Sequence, residues 1–174
     1  MRLSVFLLVW SLAASASADQ TCNTDDFPLS LPTARFAVND DATISDAGTD
    51  LMWQRCAWGQ EWTGSACEGE ATSMTWAEAI QLAKDTNSDG SWFYNDWRLP
   101  SIRDLASIIE RQCQDPRTNL ELFPDTPADF FWTRSTRAGE EAASGAYALS
   151  FGPDGVKHRP QTEQYHVRLV RPAP

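Results

Sequence analysis

Three tryptophans lie in segments whose sequences predict turns instead of helix or strand. Trp58 and Trp62 fall within the short segment 57–66 between two cysteines, and Trp92 precedes the extended run 95–101. An indole on a rigid loop suits a sugar ring, because C–H bonds of the sugar meet the π face and the side chain loses little entropy. We therefore predict that these three tryptophans contact a ligand. The alternative is that they only pack the loop.

A group of basic side chains near the end of the chain is the second candidate for binding. Its members come from segments that follow one another closely: Arg134, Arg137, His158 and Arg159. Together they would form a basic patch on an acidic protein and bind an acidic sugar or a carboxylate of a partner protein. The alternative is ordinary solvated charge.

Residues for catalysis or metal binding are scarce. His158 and His166 are the only histidines, and no G-x-S-x-G nucleophile motif is present. The oxygen-rich residues 39–41 and Asp46 could approach a calcium ion, but they lack the spacing of an EF-hand and are explained by turns. We therefore predict no enzymatic activity, no metal site and no cofactor.

Four cysteines predict two disulfide bonds, for which three pairings are possible. Cys56 and Cys67 flank a short segment that is rich in turn-forming residues, so we pair them with each other and leave Cys22 with Cys113. No C-x-x-C spacing that would favour a metal site occurs. In the chain-entropy model the two closures contribute about 3 and about 4.6 kcal/mol.

The N-terminus has the features of a secretory signal peptide. Residues 1–18 carry one positive charge, an apolar run too short to span a bilayer, and an A-x-A site that predicts cleavage after Ala18. Cleavage leaves 13 basic against 24 acidic residues, a net charge of −11. Such an acidic chain is repelled by nucleic acids and anionic lipids. We therefore expect export to the periplasm, cell surface or medium, with no nucleic-acid partner and no membrane insertion after cleavage.

The remaining patterns predict a mixed α+β domain over 35–174, preceded by an N-terminal extension over 19–34. A capping-box pair begins the segment 75–86, where apolar residues recur at helical spacing. The same pair recurs at Ser101 and predicts a second helix that ends near Cys113. Helix and strand patterns also contain four tryptophans predicted to be buried: Trp53, Trp76, Trp97 and Trp132.

Short strands separated by turns account for most of the other residues. They are predicted over 35–38, 43–45, 50–56, 129–135, 147–151, 156–160 and 165–172. The segment 114–129 shows no periodicity and contains three prolines, so a long irregular loop is expected there. Loops of this length in a small domain are commonly functional or mobile.

The ordered segments resemble a known family. They are RFAVNDDATISDAGTDLMWQRC, TWAEAIQLA, DWRLPSIRDLASII, the FPDT stretch, FFWTRST and VRLVRP. This set is similar to the family named for the C-terminal domain of the Legionella collagen-like adhesin. The resemblance covers nearly all of the chain from Arg35 onward, and Trp97–Pro100 is its most specific part.

The resemblance implies a C-type-lectin-like fold of antiparallel strands with two helices, in which the long loop region often carries the ligand site. Three cysteines fall where the family commonly has them, which supports the pairing above: Cys56, Cys67 and Cys113. The best-understood relative is an adhesin for sulfated polysaccharides. At a net charge of −11 this chain lacks the basic surface that such glycans require, which argues against the same ligand class.

We therefore expect an exported, non-catalytic binding module that recognises a glycan or an envelope or surface protein. One alternative is a structural or assembly component of a cell-surface appendage. A second alternative is an enzyme, because formylglycine-generating enzymes share a lectin-like fold and use reactive cysteines. Here all four cysteines are expected to form structural disulfides.

Overall fold

The computed structural model of the chain describes residues 20–90, 92–137 and 145–174. Within these residues it contains two larger β-sheets, two α-helices and two further strand pairs. The predicted α+β, C-type-lectin-like fold class is confirmed, as are both predicted disulfide bonds. The predicted signal peptide lies outside the described residues.

The helices are α1 (Trp76–Ser88) and α2 (Ile102–Ala106), and a 3-10 turn spans Thr33–Arg35. The strands are β1 (Thr21–Cys22), β2 (Phe36–Val38), β3 (Thr43–Asp46), β4 (Leu51–Gln54), β5 (Glu61–Trp62), β6 (Cys67–Glu68), β7 (Ser73–Met74), β8 (Cys113–Gln114), β9 (Phe130–Trp132), β10 (Gly145–Ser150), β11 (Val156–Pro160), β12 (Tyr165–His166) and β13 (Val170–Pro172).

A four-stranded antiparallel sheet has the order β13-β4-β3-β2. The predicted opening meander therefore forms, and the last strand of the chain completes it beside β4. Trp53 lies opposite both Ile44 and Val170 in the register. All three residues are fully buried, so this row anchors the sheet to the core.

A five-stranded sheet has the order β11-β10-β9-β12-β7. Its pairs are antiparallel except for one parallel contact between β12 and β9. The single strand predicted over 165–172 is wrong, because the chain passes from one sheet to the other between β12 and β13. The residues between the two strands still accept hydrogen bonds from other segments. The Val167 carbonyl accepts from the Trp58 amide N–H, and the Leu169 carbonyl accepts from the Gln54 amide N–H.

Helix α1 forms where the sequence predicts it, two residues longer at its end. Thr75 and Glu78 make the complete capping box, and Ala79 and Ala83 are buried against the five-stranded sheet's core. At its end the Asn87 amide accepts from the Trp97 amide N–H at 2.7 Å and donates to the Trp97 carbonyl at 2.8 Å. This pair of bonds fixes the extended segment that carries Trp92 and Trp97.

Helix α2 is shorter than predicted and ends at Ala106, seven residues before Cys113. The Ser107 hydroxyl bonds the Asp104 carbonyl at 2.6 Å, and the Ile108 carbonyl accepts from the Thr118 hydroxyl instead of a helical amide. The following chain turns so that Glu110, 1% exposed, can bind the N-terminal extension. The apolar residues Ile108 and Ile109, which continued the helical spacing in the sequence, pack against the core from a segment that is not helical.

The N-terminal extension is joined to the domain by more than its disulfide. Strand β1 pairs with β8, and Cys22 bonds Cys113 across that pair. The Glu110 carboxylate accepts from the amide N–H groups of Ser30 and Leu31, the latter at 2.6 Å. The Gln20 side-chain amide also donates to the carbonyls of Pro116 and Thr118 in the long loop, and Leu31 is fully buried in the core. Residues 20–34 are therefore held to the domain by strand pairing, hydrogen bonds and burial.

Candidate ligand-binding site

The segment that carries Trp58 and Trp62 is a disulfide hairpin, defined here as residues 56–68. Strands β5 and β6 pair within it, and the Cys56–Cys67 bond closes its base with a Cα–Cα distance of 5.4 Å. The Trp58 amide donates to the Val167 carbonyl at 2.8 Å, and its carbonyl accepts from Thr72 at 2.7 Å. Both sides of the backbone at Trp58 are thus fixed to the domain.

Gly59 follows Trp58 with a positive φ of 96°. A Cβ at this position would lie 2.2 Å from the hydroxyl of Thr72 and 2.7 Å from its amide nitrogen, so no larger residue fits. The tight approach turns the chain back immediately and directs the hairpin away from the domain. Glycine at this position is therefore part of how the tryptophans are placed.

The structure brings Trp58, Trp62 and Trp92 to one open cavity of about 460 Å³. We refer to it as the tryptophan cavity; its wall also includes Gln54, Gln60, Glu61 and several small residues. All three indoles are partly exposed, in contrast to the buried Trp53, Trp97 and Trp132. Two of them, Trp58 and Trp92, pack against the hydrophobic cluster that contains Trp97 and Trp132, which we call the second core. The rings of Trp92 and Trp97 meet edge to face, with centres 5.4 Å apart.

Arg55 holds Trp62 in place from outside the cavity. Its guanidinium lies 4.0 Å from the centre of the Trp62 ring system. Its Nε and Nη2 donate to the carbonyls of Leu122 and Glu121 at 3.1 and 2.7 Å. Burial lowers the pKa of Arg55, although the group keeps its charge at neutral pH. One cation thus connects the disulfide hairpin with the long loop.

Gln54 is the binding candidate that the sequence did not reveal. Its side chain lies on the cavity wall, the residue is 3% exposed, and its Nε2 has no hydrogen-bond partner within the described part of the chain. Buried amide groups are normally paired, so an unpaired donor beside the cavity is a candidate partner for a ligand group. The only signal in the sequence is a polar residue ending the apolar strand β4.

The predicted basic patch is divided in the structure. His158 and Arg159 are consecutive on β11 and so point to opposite faces of the sheet. His158 packs on Tyr147, with ring centres 5.2 Å apart, and the Arg137 Nε lies 3.4 Å from the Tyr147 hydroxyl. On the other face, Arg159 lies 4.8 Å above the Phe130 ring. Residues 138–144, which follow Arg137, lie outside the described residues.

Among the described residues, the side chain of Arg134 contacts neither the His158 group nor Arg159. Arg134 is exposed, and its backbone N–H donates to the Pro100 carbonyl at 2.8 Å. Of the four predicted basic residues, Arg137 and His158 share a neighbourhood, whereas Arg159 and Arg134 lie elsewhere.

The two histidines lie on strands of the same sheet that are separated by two others. His166 is packed against Phe131 at 5.4 Å, and burial lowers its pKa despite opposing effects of Asp129 and of a hydrogen bond with the Thr72 backbone. His158 lies on the far edge strand, above Gly145. They therefore do not form a pair that could share a proton.

The acidic residues considered for calcium are engaged in turns and an ion pair. Asp46 accepts from the Gly48 amide, the Thr49 hydroxyl and Arg35. Burial alone would raise the pKa of Asp46, but these hydrogen bonds outweigh it and lower the pKa. Asp41 accepts from the Thr43 amide at 3.2 Å. Among the described residues, no three acidic, cysteine or histidine side chains cluster as a metal site would need.

The long loop, residues 115–129, does not contain helix or strand, as predicted, but it is packed inward. Leu122 and Phe123 are fully buried in the hydrophobic cluster that contains Trp53, which we call the first core. Arg168 is also fully buried; it donates to the carbonyls of Gln54 and Arg55 and to the Thr126 hydroxyl at 2.7 Å. Burial lowers the pKa of Arg168 to about 9, so it stays charged at neutral pH.

Helices of membrane-spanning length and hydropathy are not found in the described ranges. No curated protein matches the sequence significantly. The sequence profile described as the Lcl C-terminal domain matches residues 42–171, which include the tryptophan cavity, both helices and the first two residues of the last strand. This match covers well over half of the chain and agrees with the resemblance inferred from the residues. The chain belongs to the Lcl C-terminal domain family.

Proposed function

We propose that this protein is an exported, non-catalytic binding module that holds a glycan in the tryptophan cavity. The observation that carries the proposal is the meeting of Trp58, Trp62 and Trp92 around one open space beside the unpartnered amide of Gln54. Aromatic faces favour the C–H surface of a sugar, and an amide donor favours one of its hydroxyls. The cavity is within the usual size range of small-ligand sites.

The rigidity of the cavity wall supports the same proposal. The disulfide, the backbone bonds of Trp58 and the Arg55–Trp62 stack hold the indoles in place before any ligand arrives. Ordering costs are then small, so even a modest set of contacts yields useful affinity. Export is proposed from residues 1–18, and the two disulfides fit an oxidising compartment.

A second candidate function, docking to an envelope protein, is favoured by a different surface. Phe27 and Leu29 of the N-terminal extension are 51% and 52% exposed. A shallow cavity of about 580 Å³ lies there, lined by Phe27, Ile109 and Arg111 among others. Exposed apolar side chains beside arginines are typical of protein–protein contacts. This surface would serve the appendage-component alternative as well.

A glycan-array screen of the oxidised mature protein, with and without calcium, tests the first function. We expect selective retention that is lost in the Trp58→Ala, Trp62→Ala double variant. The matched control is Phe93→Ala, which removes an aromatic side chain that is 92% exposed and does not line the cavity. A blank array with folded protein, together with capture of one envelope protein that Phe27→Ala abolishes, would favour the second function.

A further inference from the structure

The geometry points to a sugar with a free, protonated amino group as the occupant of the tryptophan cavity, an inference that rests on the proposed glycan-binding function. Three independent properties of the cavity support this ligand class: the sign of its charge, its aromatic faces and the unpaired buried amide of Gln54. Each of them selects a different part of an amino sugar.

The charge of the cavity wall is negative. Among its described lining residues, Glu61 is the only one with a charged side chain. The side chain of Glu61 makes no hydrogen bond or ion pair within the described residues, and it is exposed. Its register partner on β6 is Glu68, also exposed, so two like charges lie directly opposite one another. Such pairs are destabilising, and a ligand cation that binds Glu61 in the cavity would relieve the repulsion.

The indoles are suited to the same cation. A protonated amine within about 6 Å of an indole face is attracted by the ring quadrupole. Trp62 already accepts the Arg55 guanidinium on one side at 4.0 Å. Arg55 does not supply a competing anion site, because its Nε and Nη2 donate to carbonyls of the long loop.

The buried amide of Gln54 excludes a ligand that is only a cation. Its Nε2 is a donor without a partner in the described chain, and an ammonium group cannot accept its hydrogen bond. A ligand that pairs with this donor therefore also presents an acceptor oxygen, such as a ring hydroxyl. An amino sugar carries both groups on one ring. The whole chain, with a net charge of −10, further favours the approach of cations over that of sulfated sugars.

The test is isothermal titration of the oxidised protein with glucosamine tetramer and with N-acetylglucosamine tetramer, at mildly acidic pH and moderate salt. The two ligands differ in the charge and acetylation of the amine. We expect the amine form to bind about tenfold more tightly, as one cation–π contact and one ion pair would give. Glu61→Gln should reduce this preference, because it removes the ion pair and leaves the cation–π contact. The control Asp25→Asn, which removes one charge from the exposed N-terminal extension, should keep it.

Equal affinity for the two tetramers, or tighter binding of the acetylated one, would overturn the amine inference and leave the glycan-binding function standing. Binding of the amine form that persists in the Trp58→Ala, Trp62→Ala double variant would also overturn it, since the attraction would then be to the acidic surface in general. If neither tetramer binds, the inference fails, and the array decides separately whether the cavity holds another glycan.

Discussion

The disulfide hairpin and the long loop both lie outside the helices and the two larger sheets, yet they use their aromatic residues in opposite ways. In the hairpin, Trp58 and Trp62 remain partly exposed around a cavity. In the long loop, Phe123 is fully buried, with its ring centre 6.0 Å from that of Phe36 and 6.5 Å from that of Trp53. The longer loop, where the resemblance placed the ligand site, is here a part of the core.

The difference shows what makes a loop available for binding in this fold. The hairpin is closed by a disulfide and pinned at Trp58, so it does not need to bury its rings for stability. The long loop has no covalent closure of its own within 115–129. It is held by buried apolar side chains and by Arg55 and Arg168, whose guanidinium groups donate to backbone carbonyls or to Thr126. Length and proline content alone did not distinguish these two cases.

The largest expected effect is on stability, from Phe123→Ala in the long loop. Removing a fully buried ring leaves a cavity in the first core, and we expect a loss of about 3–5 kcal/mol in unfolding free energy. Glycan affinity of the folded fraction should change little. Urea unfolding and titration calorimetry measure the two quantities, with the exposed Val156→Ala as control. A large loss of affinity with unchanged stability would instead assign the long loop to the ligand site and not to the core.

Opening the hairpin should affect both properties. For Cys56→Ser, Cys67→Ser we expect about 3 kcal/mol less stability, from the entropy of the short closed loop, and clearly weaker glycan binding. The variant without the other bridge, Cys22→Ser, Cys113→Ser, is the matched control. It should lose more stability, because the loop is longer, but retain binding whenever it is folded. Equal affinities of the hairpin variant and wild type would show that the disulfide does not position the tryptophans.

Acid should loosen the N-terminal extension that covers the long loop. Burial raises the pKa of Glu110, but hydrogen bonds from Gln112, Ser30 and Leu31 outweigh it and hold the pKa below its ordinary value of 4.5. The carboxylate therefore stabilises the fold above that pH, and the contribution is lost as the pH falls through the folded-state pKa. At neutral pH, Glu110→Gln should cost about 2 kcal/mol.

The check for Glu110 is the pH dependence of unfolding. The difference between wild type and Glu110→Gln should shrink well below pH 4.5, where the wild-type carboxyl is protonated in both states. A difference that stays constant through the acid range would mean that shape, not charge, is what matters at this position.

The smallest expected effects are those of single tryptophans at the cavity. Trp92→Ala should weaken glycan binding by about 3–10-fold, as loss of one aromatic contact predicts, with a modest change in stability because the ring is partly buried against Trp97. Phe93→Ala, one residue away and highly exposed, should leave affinity unchanged. Indistinguishable affinities of the two variants would remove Trp92 from the site.

Local patterns predicted much of the fold. The capping boxes at Thr75 and Ser101, the Cys56–Cys67 disulfide and the opening meander follow from short-range rules of spacing and turn chemistry. The Cys22–Cys113 pair was then left by elimination. The early end of α2 and the division of 165–172 between two sheets did not follow, because partners distant in sequence decide both. The Thr118 hydroxyl donates to the Ile108 carbonyl, and β13 pairs with β4.

The site, like the fold, was predictable where local sequence patterns decide and not where partners distant in sequence do. Exclusion from helix and strand patterns pointed to Trp58, Trp62 and Trp92, and the structure gathers them at one cavity. Gln54 and Arg55 were missed, since their roles depend on what lies beside them in space. Nothing in the strand pattern indicates that Arg168 would be fully buried with its guanidinium bonded to carbonyls.

The most direct test of the account is an NMR titration that follows the indole N–H signals of all tryptophans in oxidised protein, first with glucosamine tetramer and then with the glycan best retained on the array. The account predicts that the signals of Trp58, Trp62 and Trp92 shift together with one dissociation constant, while those of the buried Trp53 and Trp132 stay in place. Saturable shifts confined to the amides of residues 115–129 would contradict it and return the ligand site to the long loop.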